Sequence, residues 1–329
     1  MSMERLAIIG GGAWGTALAQ VVAAGGRDTL LWAREPEVVD AINSAHENTV
    51  FLPGQKLDPA IRATTDLNEA QDADAWLVVT PAQHMRSVLE EAPNCDKPRI
   101  LCSKGIEERS GQLLHDVARA ACPNAQVAVL SGPTFAHEVA AGLPTAVTLA
   151  TEDAALAESL RQRIAQPSFR IYLSDDVVGA EIGGAVKNVL AIACGVVEGK
   201  GLGQNARAAL IARGFAEMTR FGLDCGARRE TLVGLSGLGD LVLTCSSTSS
   251  RNFSLGKGIG EGRSAAELLA DRRTVAEGAF TAPVLARLAA ERGVDMPIVA
   301  AVDGLLAGRI SVDAVLEQLL ARPPRPESH

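Results

Sequence analysis

Near the N-terminus a short apolar run, Leu6 to Ile9, leads straight into Gly10-x-Gly12-x-x-Gly15 and then into the helical stretch TALAQVVAAGG. A G-x-G-x-x-G pattern alone is a weak signal, but placed between a strand and a helix it points to a dinucleotide fold. Each glycine has its own physical reason. Gly10 permits the tight turn, Gly12 lets the backbone approach a pyrophosphate at the helix N-terminus, and Gly15 lets the helix pack on the strand. The competing reading is a glycine-rich turn that holds no ligand.

Strands and helices go on alternating. DTLLWAR reads as a second strand, and AWLVVTPAQ as a strand running into a loop and the helix HMRSVLEEA. RILCSKGIE ends a strand at Lys104, and AQVAVLSGP ends one at Gly132. TAVTLA and FRIYLS flank the helix DAALAESLRQRIA. This alternation predicts a mostly parallel, doubly wound, Rossmann-like α/β sheet. Ligands bind such sheets at the carboxyl ends of strands, where Thr80-Pro81, Ser103-Lys104 and Ser131 to Thr134 fall. Lys104 is the only cation among them; it is either a ligand contact or a surface lysine at a strand exit. The second strand ends at Arg34, where an NAD-selective site would carry an acidic residue. An arginine there suits a 2′-phosphate or is simply a surface residue. After Asp175 the strand signal stops and long helical patterns begin. We therefore expect an NAD(P)-binding domain over residues 1–178 and an all-α domain over residues 179–329.

Composition narrows the function. Aromatic residues make up 3% of the 329-residue chain, with a single tyrosine, which argues against stacking platforms for single-stranded nucleic acid. The net charge is −8 with no basic cluster, which argues against nucleic-acid partners. The apolar run starts too early for a signal peptide, and no run is read as a membrane span, so a cytoplasmic location is expected. The six cysteines are dispersed without a CxxC pair and read as reduced thiols. The histidines have no metal-ligand spacing, so no metal is expected.

The helical half holds one anomaly. In GAEIGGAVKNVLAIACGVVEG, Lys187 and Asn188 interrupt an apolar helix. Residues three and four away share the lysine's face: Gly183, Gly184, Leu190 and Ala191. Small neighbours leave a hollow for a ligand or another helix; alternatively, the lysine stem lies along a surface with its head in water. Asp240 likewise stands among apolar residues in GLGDLVLTC. The stretch SSTSSRNFSLGKGIG leads to Arg251-Asn252 and a predicted helix, offering hydroxyls, a guanidinium and free N–H groups that suit a phosphate. The alternative there is a flexible polar linker.

The blocks GGGAWGTALA, SKGIE, SGPTFAHEVAAGLPTAV, GAVKNVLAIACGVVEGKGLGQNARAALIARG, GLSGLGDLVLTC and SSRN resemble, in this order, the bacterial NAD(P)-dependent sn-glycerol-3-phosphate dehydrogenases. The resemblance spans nearly the whole chain. It implies reversible hydride transfer between NADPH or NADH and C2 of dihydroxyacetone phosphate, giving sn-glycerol 3-phosphate for glycerophospholipid synthesis. It implies Lys187 as the acid/base, with Asp240 beside it and Lys104 as a substrate and cofactor contact. Gly132, Thr134, Ser250, Arg251 and Asn252 match further substrate contacts. Gly10, Gly12, Ala13, Trp14, Gly15, Arg34, Ala136, Val275 and Glu277 match cofactor contacts, and Arg251 lies near the cofactor as well. Asn188 is expected to donate to substrate or to fix the lysine, and the Gly183-Gly184 hollow to hold substrate. His137 and Gln204 depart from residues common in relatives and touch only fine cofactor preference.

The chemistry adds its own demand. A free lysine, with a pKa of about 10.4, is a poor base near neutrality. Burial and the like charge of Lys104 should lower Lys187, while Asp240 should orient it and limit the drop. A homodimer through the helical half is expected. Two rivals share some of these features: a related two-domain hydroxy-acid dehydrogenase, and a non-catalytic NAD(P)-binding sensor.

Overall fold

The computed structural model describes residues 4–93, 96–270 and 276–320. Its first part runs β1 (Arg5–Ile9), α1 (Ala13–Ala24), β2 (Asp28–Trp32), α2 (Pro36–Ala45), β3 (Ile61–Thr64), β4 (Ala75–Val78), α3 (Met85–Glu91), β5 (Arg99–Leu101), α4 (Leu114–Ala121), β6 (Val127–Ser131), α5 (Ala136–Ala140), β7 (Thr145–Ala150), α6 (Ala154–Ile164) and β8 (Phe169–Ser174). These strands form one eight-stranded sheet in the order β3-β2-β1-β4-β5-β6-β7-β8. All pairings are parallel except β6 with β7. The first six strands follow the doubly wound dinucleotide order, whose direction reverses between β1 and β4. The expected α/β class holds. β3 went unread in the sequence, and β5 stops at Leu101, so Lys104 lies in the loop beyond the strand and not at its end.

Alternate residues of β1 feed different cores. Leu6 and Ile8 join one apolar cluster and Ala7 and Ile9 another, as a central strand with helices on both faces requires. At the edge, β8 alternates buried Phe169 and Ile171 with exposed Arg170 and Tyr172.

The helical domain follows: α7 (Val177–Gly199), α8 (Gly203–Asp224), α9 (Arg229–Leu232), a π-helical turn at Leu235–Gly239, α10 (Asp240–Thr244), α11 (Arg251–Gly260), α12 (Ala265–Leu269), α13 (Glu277–Arg292), α14 (Pro297–Leu306) and α15 (Val312–Leu320). Asp176 starts α7, accepting the Gly179 amide at 2.8 Å as an N-cap, and also accepts the Arg228 amide at 2.8 Å. With 23 residues and a mean hydropathy of 1.5, α7 is long and apolar enough to cross a membrane, contrary to the expectation that no run is. Its surface is spent on protein contacts instead: 89% of its most apolar window is buried inside the fold.

Glycines let α11 lie against α7 at backbone distance. A Cβ on Gly195 would sit 2.0 Å from the Phe253 carbonyl oxygen, and one on Gly256 would sit 1.9 Å from that of Ile192. Any side chain at either position would force the helices apart. This packing brings the N-terminus of α11, with Arg251 and Asn252, against the helix that carries Lys187.

Candidate active site

The glycine loop has the shape its spacing predicts. Gly10 has φ +128°, and a Cβ there would meet the Val79 carbonyl at 2.9 Å. A Cβ on Gly15 would lie 1.8 Å from the Gly10 carbonyl oxygen, so α1 can pack this closely only with glycine. Gly12 differs: nothing lies within 4 Å of its missing Cβ, and it opens α1 without a side-chain cap. The result is an open backbone surface beside free helix N–H groups, a fit for a pyrophosphate.

Asn48, which sequence reasoning missed, braces this loop. Fully buried, it donates to the Gly11 carbonyl and the Thr16 hydroxyl, both at 2.8 Å, and accepts the Phe51 amide at 3.0 Å. Ala13 begins α1, and beside it the Trp14 indole N–H is enclosed without a partner among the described residues. Arg34 lies just past β2, exposed and free of ion pairs among the described residues.

The second cluster is built from charges. Asp240, wholly buried, bridges two lysines: Oδ1 accepts from Lys187 Nζ at 2.6 Å, and Oδ2 from Lys104 Nζ at 2.6 Å. Lys104 also donates to the Gly132 carbonyl at 3.0 Å, and Lys187 to the Thr244 hydroxyl at 2.9 Å. Thr244 in turn donates to Asp240 at 3.2 Å. Thr244 was not singled out from sequence, although its place four residues after Asp240 puts both on one helix face. Two ammonium groups against one carboxylate leave a net positive charge in a largely buried site. Burial brings the Lys187 pKa down to about 8, Lys104 pushes the same way, and Asp240 opposes both.

The expected hollow at Gly183-Gly184 does not exist. A Cβ on Gly183 would lie 2.3 Å from the Ser236 carbonyl oxygen, so the π-helical turn fills that side. Gly184 faces the Lys104 stem and the Ser131 hydroxyl, each at 3.2 Å from its missing Cβ. The small residues thus make room for protein: the turn that carries Asp240 and the stem of the second lysine.

Of the other predicted residues, Gly132 joins this cluster through its carbonyl, which accepts from Lys104. Gly132 has φ +157°, and a Cβ there would strike Val147 at 2.9 Å. Half-buried Thr134 follows it, and Ala136 opens α5. Asn188 is buried beside Lys187. Ser250 caps α11 by accepting the Phe253 amide at 3.2 Å, a structural duty not foreseen. Exposed Arg251 is the first residue of α11, and buried Asn252 accepts the Gly278 amide at 2.9 Å, anchoring the start of α13. Glu277 begins α13 and lies beside the β4 and β5 exits. Burial pushes its carboxyl up to about 7, against the Ala82 amide and the Arg251 charge, which stabilise the ionised form. Val275 lies outside the described residues.

Comparison with known proteins identifies the family of the chain. Residues 5–157 match the family model of the NAD-dependent glycerol-3-phosphate dehydrogenase N-terminus, and residues 176–317 that of its C-terminus. The chain is 65% identical to a glycerol-3-phosphate dehydrogenase [NAD(P)+] of Erythrobacter litoralis, over 98% of each chain. It is 61% identical to one of Sphingopyxis alaskensis, over 99% of each. Among solved structures, glycerol-3-phosphate dehydrogenase from Coxiella burnetii superimposes with a TM-score of 0.92 at 37% identity, covering 97% of this chain and 99% of that one.

Proposed function

The chain belongs to the NAD-dependent glycerol-3-phosphate dehydrogenase family, and on that premise we propose that it interconverts dihydroxyacetone phosphate and sn-glycerol 3-phosphate, with Lys187 as the proton carrier. The observation that carries the proton role is a buried lysine, fixed by Asp240 and Thr244 and held at a pKa of about 8.

When bound, the nicotinamide supplies or removes the hydride at C2. The rest falls to the protein. In ketone reduction the Lys187 ammonium gives a proton to the C2 oxygen as negative charge builds there; in alcohol oxidation the neutral amine takes it back. Asp240 and Thr244 hold the nitrogen in place. Lys104 adds a second positive charge close to the same oxygen, which stabilises a developing alkoxide. Ser250, Arg251 and Asn252 offer the hydroxyl, guanidinium and amide donors for the substrate phosphate, with Gly132 and Thr134 facing it from the sheet. Gly10, Gly12, Ala13, Trp14 and Gly15 cradle the cofactor, with Ala136, Val275 and Glu277 as later contacts. Arg34 favours acceptance of a 2′-phosphate, so both NADPH and NADH serve.

The proposal extends to a division of labour at residues 178/179, to a supply of glycerol phosphate for phospholipid synthesis, and to a cytoplasmic homodimer. Free thiols at Cys102, Cys194, Cys225 and Cys245 support a reducing compartment.

The test is nicotinamide absorbance with dihydroxyacetone phosphate and, in parallel, NADH or NADPH. Rapid loss of signal is expected with both. No loss with either, in folded protein that binds NAD(P)H, overturns the substrate assignment.

A further inference from the structure

We propose that Glu277 distinguishes the oxidised from the reduced cofactor: its carboxylate, set beside the exits of β4 and β5, favours the cationic nicotinamide over the neutral one and couples that choice to a proton. The inference rests on the reading above that the cofactor lies across these strand ends.

The placement is well defined. A Cβ on Gly105 would lie 2.9 Å from the Ala82 side chain, 3.4 Å from Thr281 Oγ1 and 3.8 Å from Glu277 Oε2. The carboxylate therefore lies beside the point where the loop after β4, at Ala82, meets the loop after β5, at Gly105. The Ala82 amide donates to it, yet Oε2 is enclosed and has no hydrogen-bond partner among the described residues. Burying a carboxylate with one oxygen unsatisfied costs stability, so packing alone gives no reason for an acid here.

The facing groups do not neutralise it. Arg251, at the start of α11, acts on it through space, and no ion pair to Glu277 forms among the described residues. Lys104 precedes Gly105 in the chain, but its ammonium is turned to Asp240 and Gly132. From α13 itself the Thr281 hydroxyl is committed to the Glu277 carbonyl at 3.0 Å. The β4 exit presents the Ala82 amide.

The ring carries one positive charge when oxidised and none when reduced. An ionised Glu277 stabilises the first and is indifferent to the second. Reciprocally, the cation makes Glu277 more acidic, so oxidised cofactor releases a proton on binding and reduced cofactor does not. The sign follows: affinity for oxidised cofactor rises as pH climbs through about 7, where the carboxyl of the free protein titrates.

The test uses NAD+ and NADH, which lack the titratable 2′-phosphate, and isothermal calorimetry between about pH 5.5 and about pH 7.5, below the Lys187 transition. The NAD+ Kd should tighten about sixfold across this window, out of the roughly tenfold limit set by about one unit of linked pKa shift, with the NADH Kd flat. In Glu277→Gln the NAD+ dependence should vanish. In buffers of different ionisation heat, wild-type protein should release protons to NAD+ alone. Equal pH dependence for both cofactors, or a dependence that survives in Glu277→Gln, overturns the inference. If Glu277→Gln does not fold, the wild-type proton counts decide, and equal counts overturn it. Absence of binding heat with either cofactor would overturn the cofactor reading as well; binding of both without a difference overturns the Glu277 role alone.

Discussion

The glycine loop and the lysine centre are two sites built in opposite ways. The loop is a shape: Gly10 and Gly15 are required by carbonyls at 2.9 Å and 1.8 Å from a Cβ, and Gly12 by the empty space in front of it. It contains no titrating group, and all its parts come from one stretch of chain. The centre is a charge arrangement. Its lysines reach one carboxylate across 136 and 53 positions of sequence, and Asp240 and Lys104 pull the acidity of Lys187 in opposite directions. The loop should therefore fail through sterics and ignore pH, whereas the centre should fail through electrostatics and follow it.

The largest effect should come from removing the proton carrier. Lys187→Met should lower kcat by about 10²- to 10⁴-fold, the usual worth of a general acid, with the NADH Kd unchanged by fluorescence titration. Near-wild-type turnover would sink the assignment. A large change in NADH affinity would break the comparison, since the two sites would no longer be separable.

Next come the glycines. Gly15→Ala drives a methyl into the Gly10 carbonyl, so the loop must move by an ångström or more. We expect roughly 100-fold weaker cofactor binding and a lowered Tm. Gly12→Ala meets no protein atom within 4 Å and should leave Tm unchanged while still weakening cofactor binding. If both variants behave alike in Tm and Kd, Gly12 does not face the pyrophosphate.

The same contrast explains what the sequence disclosed. The loop was legible because strand, turn and helix are consecutive and each glycine has a local reason. The centre was legible only as separate oddities, a lysine in an apolar helix and an aspartate in an apolar run, until the resemblance joined them. Spacing does not encode a contact across 53 residues. Other features were hidden for related reasons. β3 has four residues, too short for a period, and Asn48 reads as any loop asparagine until its bonds to Gly11 and Thr16 appear. The small residues around Lys187 were read as a hollow for substrate, but a missing side chain does not announce what occupies its place. The π-helical turn fills it because Gly237 lets that turn press on the Leu232 carbonyl, 1.9 Å from where a Cβ would be.

Asp240→Asn should show a middling effect of distinctive form. The carboxylate opposes the fall in the Lys187 pKa, so its loss should move the Lys187 transition below about pH 8. Breaking a buried pair also leaves two ammonium groups facing each other, which should destabilise the protein by about 3 kcal/mol. A kcat–pH profile unmoved in this variant would show that another group sets the transition.

The smallest effect needs no mutation. In ketone reduction Lys187 must carry its proton, so kcat at saturating cofactor should be level below about pH 8 and fall roughly tenfold per unit above it. In alcohol oxidation the neutral amine is the base, so kcat should rise up to about pH 8 and then level off. The two profiles should cross, because one group serves both directions with opposite protonation. The NADH Kd, set mainly by the backbone loop, should stay flat through the same range. Profiles that rise together would remove Lys187 as the proton carrier. An NADH Kd that bends near pH 8 would show that the lysine centre extends its field to the cofactor, so that shape and charge are not divided between the two sites as their construction suggests.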